Sequence, residues 1–228
     1  MNPRPLVSAI VPLFNGEAYL GEALASISAQ NYRPIEIIVV DDGSSDRGYE
    51  IAQSYGGVRC FRQERGGVAV ARNRGVTEAQ GEYLAFLDQD DKWTPDKLEI
   101  QVDYLRSHRE LGYVFAHQRL FLEPGSPPPV WIRQELVDRP HPGFCPGTIL
   151  IDREFFRKVG FFNPAYRFTS DGDWFFRAQD LSPRVFLPEV LLLKRSHREN
   201  ESNHYSSMQS EMHRVMLERI KRKRSAGG

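Results

Sequence analysis

The segment YLAFLDQDDKW (Tyr83–Trp93) contains three carboxylates within four positions, Asp88, Asp90 and Asp91. The apolar residues before them are typical of a buried strand, so the acids lie where that strand leaves the core. Like charges repel at this spacing unless a cation neutralises them. Magnesium and manganese prefer carboxylate oxygens and take further ligands from phosphates and water. The spacing therefore indicates a metal site, in which one of two acids at i and i+2 binds the metal or a ribose and the other binds the metal. The alternative is a solvated turn that caps the next helix.

A second acidic cluster, in VVDDGSSD, follows another apolar run. Carboxylates at the end of a central strand can accept hydrogen bonds from a base edge or from ribose hydroxyls, which gives Asp41 and Asp42 a binding role. Aspartate and serine are also good cap and turn residues, and that interpretation applies to Ser44, Ser45 and Asp46.

Two arginines, Arg72 and Arg74 in GGVAVARNRG, stand near these acids. Arginine can bind a diphosphate through two parallel hydrogen bonds, although Arg74 could equally be a solvated helix charge. A dinucleotide-binding fold would carry its G-x-G-x-x-G fingerprint where the segment VPLFNGEAYL stands. This segment contains neither that motif nor a P-loop. The phosphates of a nucleotide would therefore be bound in another way, such as through a metal at DQDD.

A later pair of acids, Asp171 and Asp173 in TSDGDWFFR, lies beside aromatic residues. Either could be a general base with a tuned pKa, whereas Ser170 or Asp171 could instead be a helix N-cap. His197, in SHRENES, could bind a metal or a phosphate, although a single histidine is more often structural or exposed.

Apolar segments and helical patterns alternate along the chain, which predicts a mainly parallel α/β sheet flanked by helices. Open sheets of this kind bind ligands outside the carboxyl ends of their strands, so FNGE, DDGSSD and DQDD should converge on one edge. The predicted strands are Leu6–Phe14, Ile35–Val40, Val58–Gln63, Tyr83–Asp88, Gly112–Leu122 and Val190–His197. The predicted helices are Gly16–Gln30, Arg47–Tyr55, Gly66–Ala79, Thr94–His108, Ser170–Leu181 and Ser207–Arg224, with Thr94 as the N-cap and Pro95 first in the fourth helix.

The composition narrows the possible partners. The 228 residues carry no net charge, so no overall field attracts nucleic acid. The two cysteines lack metal-ligand spacing, and the sequence shows neither a signal peptide nor a membrane span, so a cytoplasmic protein is expected. The basic KRKR tail could place it at an anionic membrane surface, a prediction that fails if vesicles do not bind the protein at any salt concentration.

Taken in order, VSAIVPLFNGEAYLGEALASISAQ, IEIIVVDDGSSD, GGVAVARNRGVTEAQGEYLAFLDQDDKWTPDKLE and SDGDWFFR form a specific combination. Together they resemble the family 2 glycosyltransferases, which have the glycosyltransferase A-type fold, over Val7 to His197. The resemblance implies a Rossmann-like nucleotide-binding sheet. It also implies one domain over residues 1–200, with a donor half (1–111) and an acceptor and catalytic-base half (112–200). Residues 201–228 would form a C-terminal helix and basic tail.

The family pattern also implies a reaction. A sugar would move with inversion from a nucleoside-diphosphate sugar, first of all a UDP-sugar, to a hydroxyl of a saccharide or lipid-linked acceptor, with Mn²⁺ or Mg²⁺ required. DQD matches the family's Asp-x-Asp motif, and Asp171 matches its catalytic base, although the family usually has Glu where Ser170 stands; Asp173 is the fallback. Nucleotide contacts are implied for Pro12, Phe14, Glu17, Asp41, Asp42, Arg72 and Asp88, metal contacts for Asp88, Asp90 and His197, and a basic position at Arg177.

Other functions fit the sequence less well. A sugar nucleotidyltransferase would carry a glycine-rich loop after the first strand, and PLFNGEAYL has none. A phosphatase with an aspartyl nucleophile would need a second aspartate where Gly43 stands. A non-catalytic nucleotide-binding module remains an alternative, against which the complete metal motif argues. Acceptor recognition is expected in the segment from Gly112 to Pro164, where Trp131 could stack on a sugar ring.

Overall fold

The computed structural model describes residues 3–129 and 132–226, and Trp131 lies outside them. Within that part of the chain, strands and helices alternate as the sequence predicts. The strands are β1 Val7–Leu13, β2 Ile35–Asp41, β3 Val58–Arg62, β4 Tyr83–Phe86, β5 Lys92–Trp93, β6 Tyr113–Leu122, β7 His141–Pro142, β8 Leu150–Asp152 and β9 Phe186–Ser196. The helices are α1 Leu20–Ser28, α2 Gly48–Ser54, α3 Val68–Glu78, α4 Lys97–Ser107, α5 Arg153–Val159, α6 Ser170–Gln179 and α7 Tyr205–Ala226.

The described strands form one sheet in the order β3-β2-β1-β4-β8-β6-β9-β5, with β7 beside β6. The long pairings, including β1 with β2 and β6 with β9, are parallel, whereas each antiparallel pairing joins only two or three residues. The chain leaves β1 toward β2 and β3, then returns to place β4 on the other side of β1. This reversal puts the carboxyl ends of β1, β2 and β4 at one edge, where sheets of this type bind ligands. The mainly parallel α/β fold is confirmed.

Apolar side chains cover both faces of the sheet. Along β1, Val7 and Val11 pack with α1, α2 and α4, while Ile10 points to the opposite face, which packs with α3, α5 and α6. This alternation is the two-residue period of a strand buried on both sides. On the second face the rings of Phe156 on α5 and Trp174 on α6 stack with centroids 5.2 Å apart, which packs the two helices together.

The fourth helix begins later than predicted. It starts at Lys97, and Thr94 is not its N-cap. The reason is a short strand, β5, that pairs with β9 and was missed because two residues carry no periodicity. Thr94 continues that pairing: its backbone N–H bonds Leu191 O at 3.3 Å and its Oγ1 donates to Val190 O at 3.2 Å. A tertiary contact has overridden the local cap signal.

The terminal helix α7 packs along α6. Val215 is fully buried, Arg222 lies 3.3 Å from Asp173, and Arg219 and Lys223 lie 2.7 and 3.0 Å from Asp180. Several basic side chains of the tail therefore have carboxylate partners within the fold. Among the described residues, no helix has the length and apolar composition needed to cross a bilayer.

A lysine lies in the core beneath α4. Lys97 is fully buried over the Trp93 ring, and its Nζ donates to Gln101 Oε1 at 2.6 Å and to Ile149 O at 3.4 Å. Gln101 in turn donates to Thr148 O at 2.8 Å. These bonds attach α4 to the turn before β8. Burial lowers the pKa of Lys97 from its ordinary 10.5 to about 7, because the charged form is poorly solvated.

We expect Lys97 to make stability depend on pH. Between pH 7 and 10.5 the unfolded chain holds a proton on this lysine that the folded chain has released, so stability rises with pH. Relative to Lys97→Met, the wild type should gain about 1–3 kcal/mol in free energy of unfolding from pH 7 to pH 9. Urea unfolding of both proteins measures this, with the exposed Lys158→Met as control. A difference that stays constant with pH would contradict the burial argument.

Candidate functional site

The polar segments after β1, β2 and β4 meet at one edge of the sheet, as predicted. The backbone N–H of Asn15 donates to Ser44 Oγ at 2.9 Å, and Asn15 Oδ1 accepts from the backbone N–H of Ser45 at 2.9 Å. The backbone N–H of Phe14 donates to Gln89 Oε1 at 2.7 Å. FNGE, DDGSSD and DQDD thus form one connected rim.

Gln89, between the two aspartates of DQD, was not singled out from the sequence. Its side-chain amide forms two bonds with the backbone of Phe14, accepting from N–H at 2.7 Å and donating to C=O at 3.0 Å. A Cβ at Gly16 would lie 2.6 Å from this amide, so glycine permits the close approach. The middle residue of the motif therefore joins the end of β1 to the carboxylate turn.

Asp41 and Asp42 have different surroundings. Asp41 is buried, with Oδ1 bonded by Ser44 N–H at 3.1 Å. Its Oδ2 lies 3.0 Å from Arg62 Nε but outside hydrogen-bond alignment, so this oxygen can still accept a bond. Both carboxylate oxygens of Asp42 accept hydrogen bonds from the loop before α3, one from Gly66 N–H at 2.8 Å and the other from Gly67 N–H at 2.7 Å. Its position beside a nucleotide stays a prediction.

Pro12, Phe14 and Glu17 lie along the same edge. Pro12 is buried in β1, and the guanidinium of Arg65 lies 3.7 Å from the centre of the Phe14 ring. Glu17 Oε2 accepts from Arg47 N–H at 3.0 Å and Nε at 3.2 Å, and these bonds lower the pKa of Glu17. Their nucleotide contacts are untested predictions.

Arg72 and Asp88 form a buried ion pair at the end of β4. Arg72 Nη2 donates to Asp88 Oδ1 at 2.6 Å, and the Nε of Arg72 has no acceptor in the described part of the chain. Burial would raise the pKa of Asp88, but the charges of Arg72 and Lys194 outweigh it and hold the pKa below its usual range. Arg74 instead pairs with Glu78 at 2.9 Å on its own helix.

Asp90 and His197 are in direct contact. His197 Nε2 lies 3.0 Å from Asp90 Oδ2, and Asn200 Nδ2 donates to the same oxygen at 2.8 Å. The backbone N–H of Glu199 donates to His197 Nδ1 at 3.3 Å, so the hydrogen of the neutral ring is on Nε2 and faces Asp90. His197 is therefore a partner of the carboxylate turn and not an exposed histidine.

The third acid, Asp91, is buried beneath the turn. Its Oδ1 accepts from the backbone N–H of Arg195 at 2.8 Å, and Lys194 Nζ lies 3.4 Å from Oδ2. Burial raises the pKa of Asp91 to about 7, with Asp90 and Asp88 adding to the rise and Lys194 opposing it. These partners were not predicted from the sequence, although the two basic residues that follow the apolar run LLL are a signal.

Arg195 connects the turn to two other elements. Its Nε donates to Asp90 O at 2.9 Å, while its two terminal nitrogens donate to Glu22 on α1 at 2.9 Å and to Glu123 after β6 at 3.0 Å. The guanidinium also lies 4.9 Å from the ring centre of Tyr19. One buried side chain thus holds three segments around DQDD.

The donor atoms at this turn fit a divalent cation. An imidazole nitrogen and a carboxylate oxygen 3.0 Å apart can both bind one ion, which would replace the Nε2 hydrogen. No group of three or more His, Cys, Asp or Glu side chains within residues 3–129 and 132–226 is arranged to hold an ion alone. Hard ions often complete their shells with substrate phosphates and water, and a two-residue donor set suits that mode.

Asp171 lies on the same edge, in the first turn of α6. Thr169 occupies the N-cap position, and the Asp171 carboxylate accepts a local bond from Gly172 N–H at 2.8 Å. Burial raises the pKa of Asp171, Arg72 opposes the rise and Asp88 adds to it, so these three side chains are electrostatic neighbours. Neither Ser170 nor Asp171 is the N-cap considered from the sequence.

Asp173, the fallback base, is held inside the fold. It is buried, with Arg177 Nε 2.9 Å from Oδ2 and Arg222 3.3 Å from Oδ1. Arg177 also donates to Val159 O at 2.6 Å and Phe161 O at 2.8 Å. Both side chains attach α6 to its neighbours, away from the rim.

This α/β fold carries an acidic edge with a neighbouring carboxylate on α6, at the strand ends where parallel sheets bind ligands. The family described as Glycosyl transferase family 2 matches residues 8–160, more than half of the chain. An uncharacterised glycosyltransferase of Rickettsia typhi is 36% identical over 215 residues, covering 87% of this chain and 66% of that protein. The chain belongs to glycosyltransferase family 2.

Solved structures share the fold. Mannosyltransferase PcManGT from Pyrobaculum calidifontis, in complex with GDP-Man and Mn²⁺, has a TM-score of 0.77 at 20% identity, covering 96% of this chain and 65% of that one. Residues 1–349 of S. aureus TarS with UDP-GlcNAc give 0.71 at 20% identity, covering 93% and 66%. The fold is therefore the glycosyltransferase A type. The chain spans about one third to two thirds of the length of its Rickettsia relatives.

We expect Arg195→Met to destabilise the protein, because Glu22 and Glu123 lose their shared cation and Asp90 O loses a donor. Losing one partner of a fully buried pair costs 3–5 kcal/mol. Glu22 is half exposed, so about 2 kcal/mol is expected here. Thermal unfolding measures it, with Arg198→Met in the neighbouring exposed turn as control. Equal melting temperatures for the two variants would contradict a central role for Arg195.

Proposed function

We propose that this chain transfers a sugar from a nucleoside-diphosphate sugar to an acceptor hydroxyl, with inversion at the anomeric carbon. One observation carries the proposal. The Asp90–His197 contact, the Arg72–Asp88 ion pair and the half-buried carboxylate of Asp171 share a single edge of the sheet. Side chains that suit the binding of a metal ion and a diphosphate thus lie next to a carboxylate that suits proton removal.

The donor is inferred to be a UDP-sugar or, as the alternative, a GDP-sugar. Structural neighbours are known with UDP-GlcNAc and with GDP-Man and Mn²⁺, which supports a nucleotide-sugar donor without deciding between the two bases. Asp90 and His197, with Asp88 beside them, would hold Mn²⁺ or Mg²⁺. The bound ion would supply positive charge against the leaving diphosphate.

The nucleotide is assigned to the edge formed by β1 and β2. Pro12, Phe14 and Glu17 would line its pocket, and the Oδ2 of Asp41 can accept a bond from the base. Asp42 would act beside it by holding the Gly66–Gly67 turn at the start of α3. The unpartnered Nε–H of Arg72 supports a contact with the diphosphate.

The transfer step then needs one base. Asp171 would take the proton of the acceptor hydroxyl, and that oxygen would form a bond to the anomeric carbon from the face opposite the diphosphate. The bond between the anomeric carbon and the diphosphate breaks, and its electron pair leaves with the nucleoside diphosphate. A single displacement of this kind inverts the configuration. The raised pKa of Asp171 suits proton uptake.

The acceptor is assigned only by class, as a hydroxyl of a saccharide or of a lipid-linked molecule. The segment from Gly112 to Pro164, which contains β6 to β8 and α5, remains the expected place for its recognition. Membrane contact through the tail is also still a prediction. Pairing of Arg219, Arg222 and Lys223 with α6 leaves fewer basic side chains for lipid headgroups than the sequence suggests.

Nucleotide binding should depend on a metal. In calorimetric titrations of UDP, GDP, dTDP and CDP, we expect tight binding of one diphosphate in the presence of Mn²⁺. Binding should weaken at least tenfold without it, because the carboxylate turn then repels the phosphates. Asp90→Ala should remove the metal dependence.

Asp46→Ala is the matched control, since this acid lies on the same rim but bonds Glu17 N–H and Gly48 N–H. It should keep the metal dependence. Wild-type nucleotide binding that is equally tight with and without the metal would contradict the assigned site. A non-catalytic nucleotide-binding module would then describe the chain better.

Asp171→Asn should abolish transfer while nucleotide affinity changes less than twofold. The amide cannot take the acceptor's proton, and general-base removal typically costs 10²–10⁴-fold in rate. Release of free nucleotide from UDP-GlcNAc or GDP-Man, whichever nucleotide binds, measures turnover. Retained turnover in Asp171→Asn would contradict the assigned base.

A further inference from the structure

The loop that leads into the helix carrying Asp171 is capped by a carboxylate from a distant part of the chain. Glu211 on α7 accepts from the backbone N–H groups of Arg167 at 2.9 Å, Phe168 at 2.7 Å and Thr169 at 2.8 Å, and from Thr169 Oγ1 at 2.9 Å. These are the three residues that lead into α6. Thr169, at the N-cap position, makes no cap bond of its own. One carboxylate therefore holds the entrance to the helix.

The charge of Glu211 suits this position. Helix N-termini carry a partial positive charge and unpaired N–H groups, which favour an anion. Burial would raise the pKa of Glu211, but the N–H groups of Phe168, Arg167 and Thr169 outweigh it and keep the pKa below its usual range. The carboxylate is thus ionised at neutral pH, and it accepts four hydrogen bonds.

The two helices also touch at the residue after Asp171. A Cβ at Gly172 would lie 2.6 Å from Met212 Cε, so α7 approaches α6 as closely as a glycine allows. At its other end α6 is bound through Asp180, which pairs with Arg219 at 2.7 Å. Glu211 thus acts at the catalytic end of α6, and Arg219 at the opposite end.

We propose that Glu211 is a positioning residue that sets the place of Asp171 in the active site. The proposal rests on the function proposed above, in which Asp171 is the base. Asp171 is only two residues beyond Thr169, so any shift of the capped segment moves its carboxylate relative to Arg72 and Asp88. Small displacements of a reacting group can lower a rate about 10²-fold without changing binding elsewhere. The nucleotide edge lies on other elements and should not respond.

The experiment compares Glu211→Gln with Arg219→Gln, which removes a contact at the far end of α6. For Glu211→Gln we expect kcat of nucleotide release from UDP-GlcNAc or GDP-Man to fall at least tenfold, with the Kd for the nucleotide unchanged. Arg219→Gln should change kcat less than threefold. Amide hydrogen exchange should accelerate over residues 167–173 in Glu211→Gln alone.

Glu211→Asp keeps the charge and covers the case in which the glutamine variant does not fold. Its kcat should lie below that of the wild type, with the Kd for the nucleotide unchanged. Equal kcat losses in Glu211→Gln and Arg219→Gln, or an unchanged kcat in Glu211→Gln and Glu211→Asp, would overturn the positioning role. Full activity of Asp171→Asn would instead show that the proposed base is wrong, whatever Glu211 does to the exchange rates.

Discussion

Mutual repulsion among Asp88, Asp90 and Asp91 is the constraint on which the rest of this structure depends. Three carboxylates at the end of one strand are tolerable only if each has its own positive or hydrogen-bonding partner. Asp88 has Arg72, Asp90 has His197, and Asp91 has Lys194. The turn is thus stabilised by the fold before any ligand binds.

These partners also explain how two halves of the sheet are joined at the site. Arg72 comes from α3 in the parallel half, while Lys194 and His197 come from β9 and the loop after it, across the sheet. Arg195 adds bonds to α1 and to the end of β6. The acids that would bind a metal diphosphate therefore also fasten β9 to the donor half. Function and stability share the same charges, so a change at one affects the other.

The sequence was sufficient for the fold class and for the edge where the polar clusters meet, because apolar alternation and the strand-end rule are local signals. It was insufficient wherever a residue's partner is distant. Gln89 was overlooked, although it joins β1 to the carboxylate turn, and Thr94 was taken for a cap because β5 is too short to show a period. Asp173 was the fallback base, and its ion pairs with Arg177 and Arg222 could not be predicted from the sequence.

The C-terminal helix is a second case in which partners distant in the sequence decide what a residue does. Taken alone, its basic residues are typical of a solvated or membrane-binding tail, since composition carries no information about a partner 49 residues earlier. In the fold, Arg222 neutralises the buried carboxylate of Asp173 and Glu211 supplies the anion at the start of α6. Opposite charges on α7 thus act at different points of one helix. The placement of Asp171 becomes a property of α6 and α7 together, which the residues around Asp171 alone could not indicate.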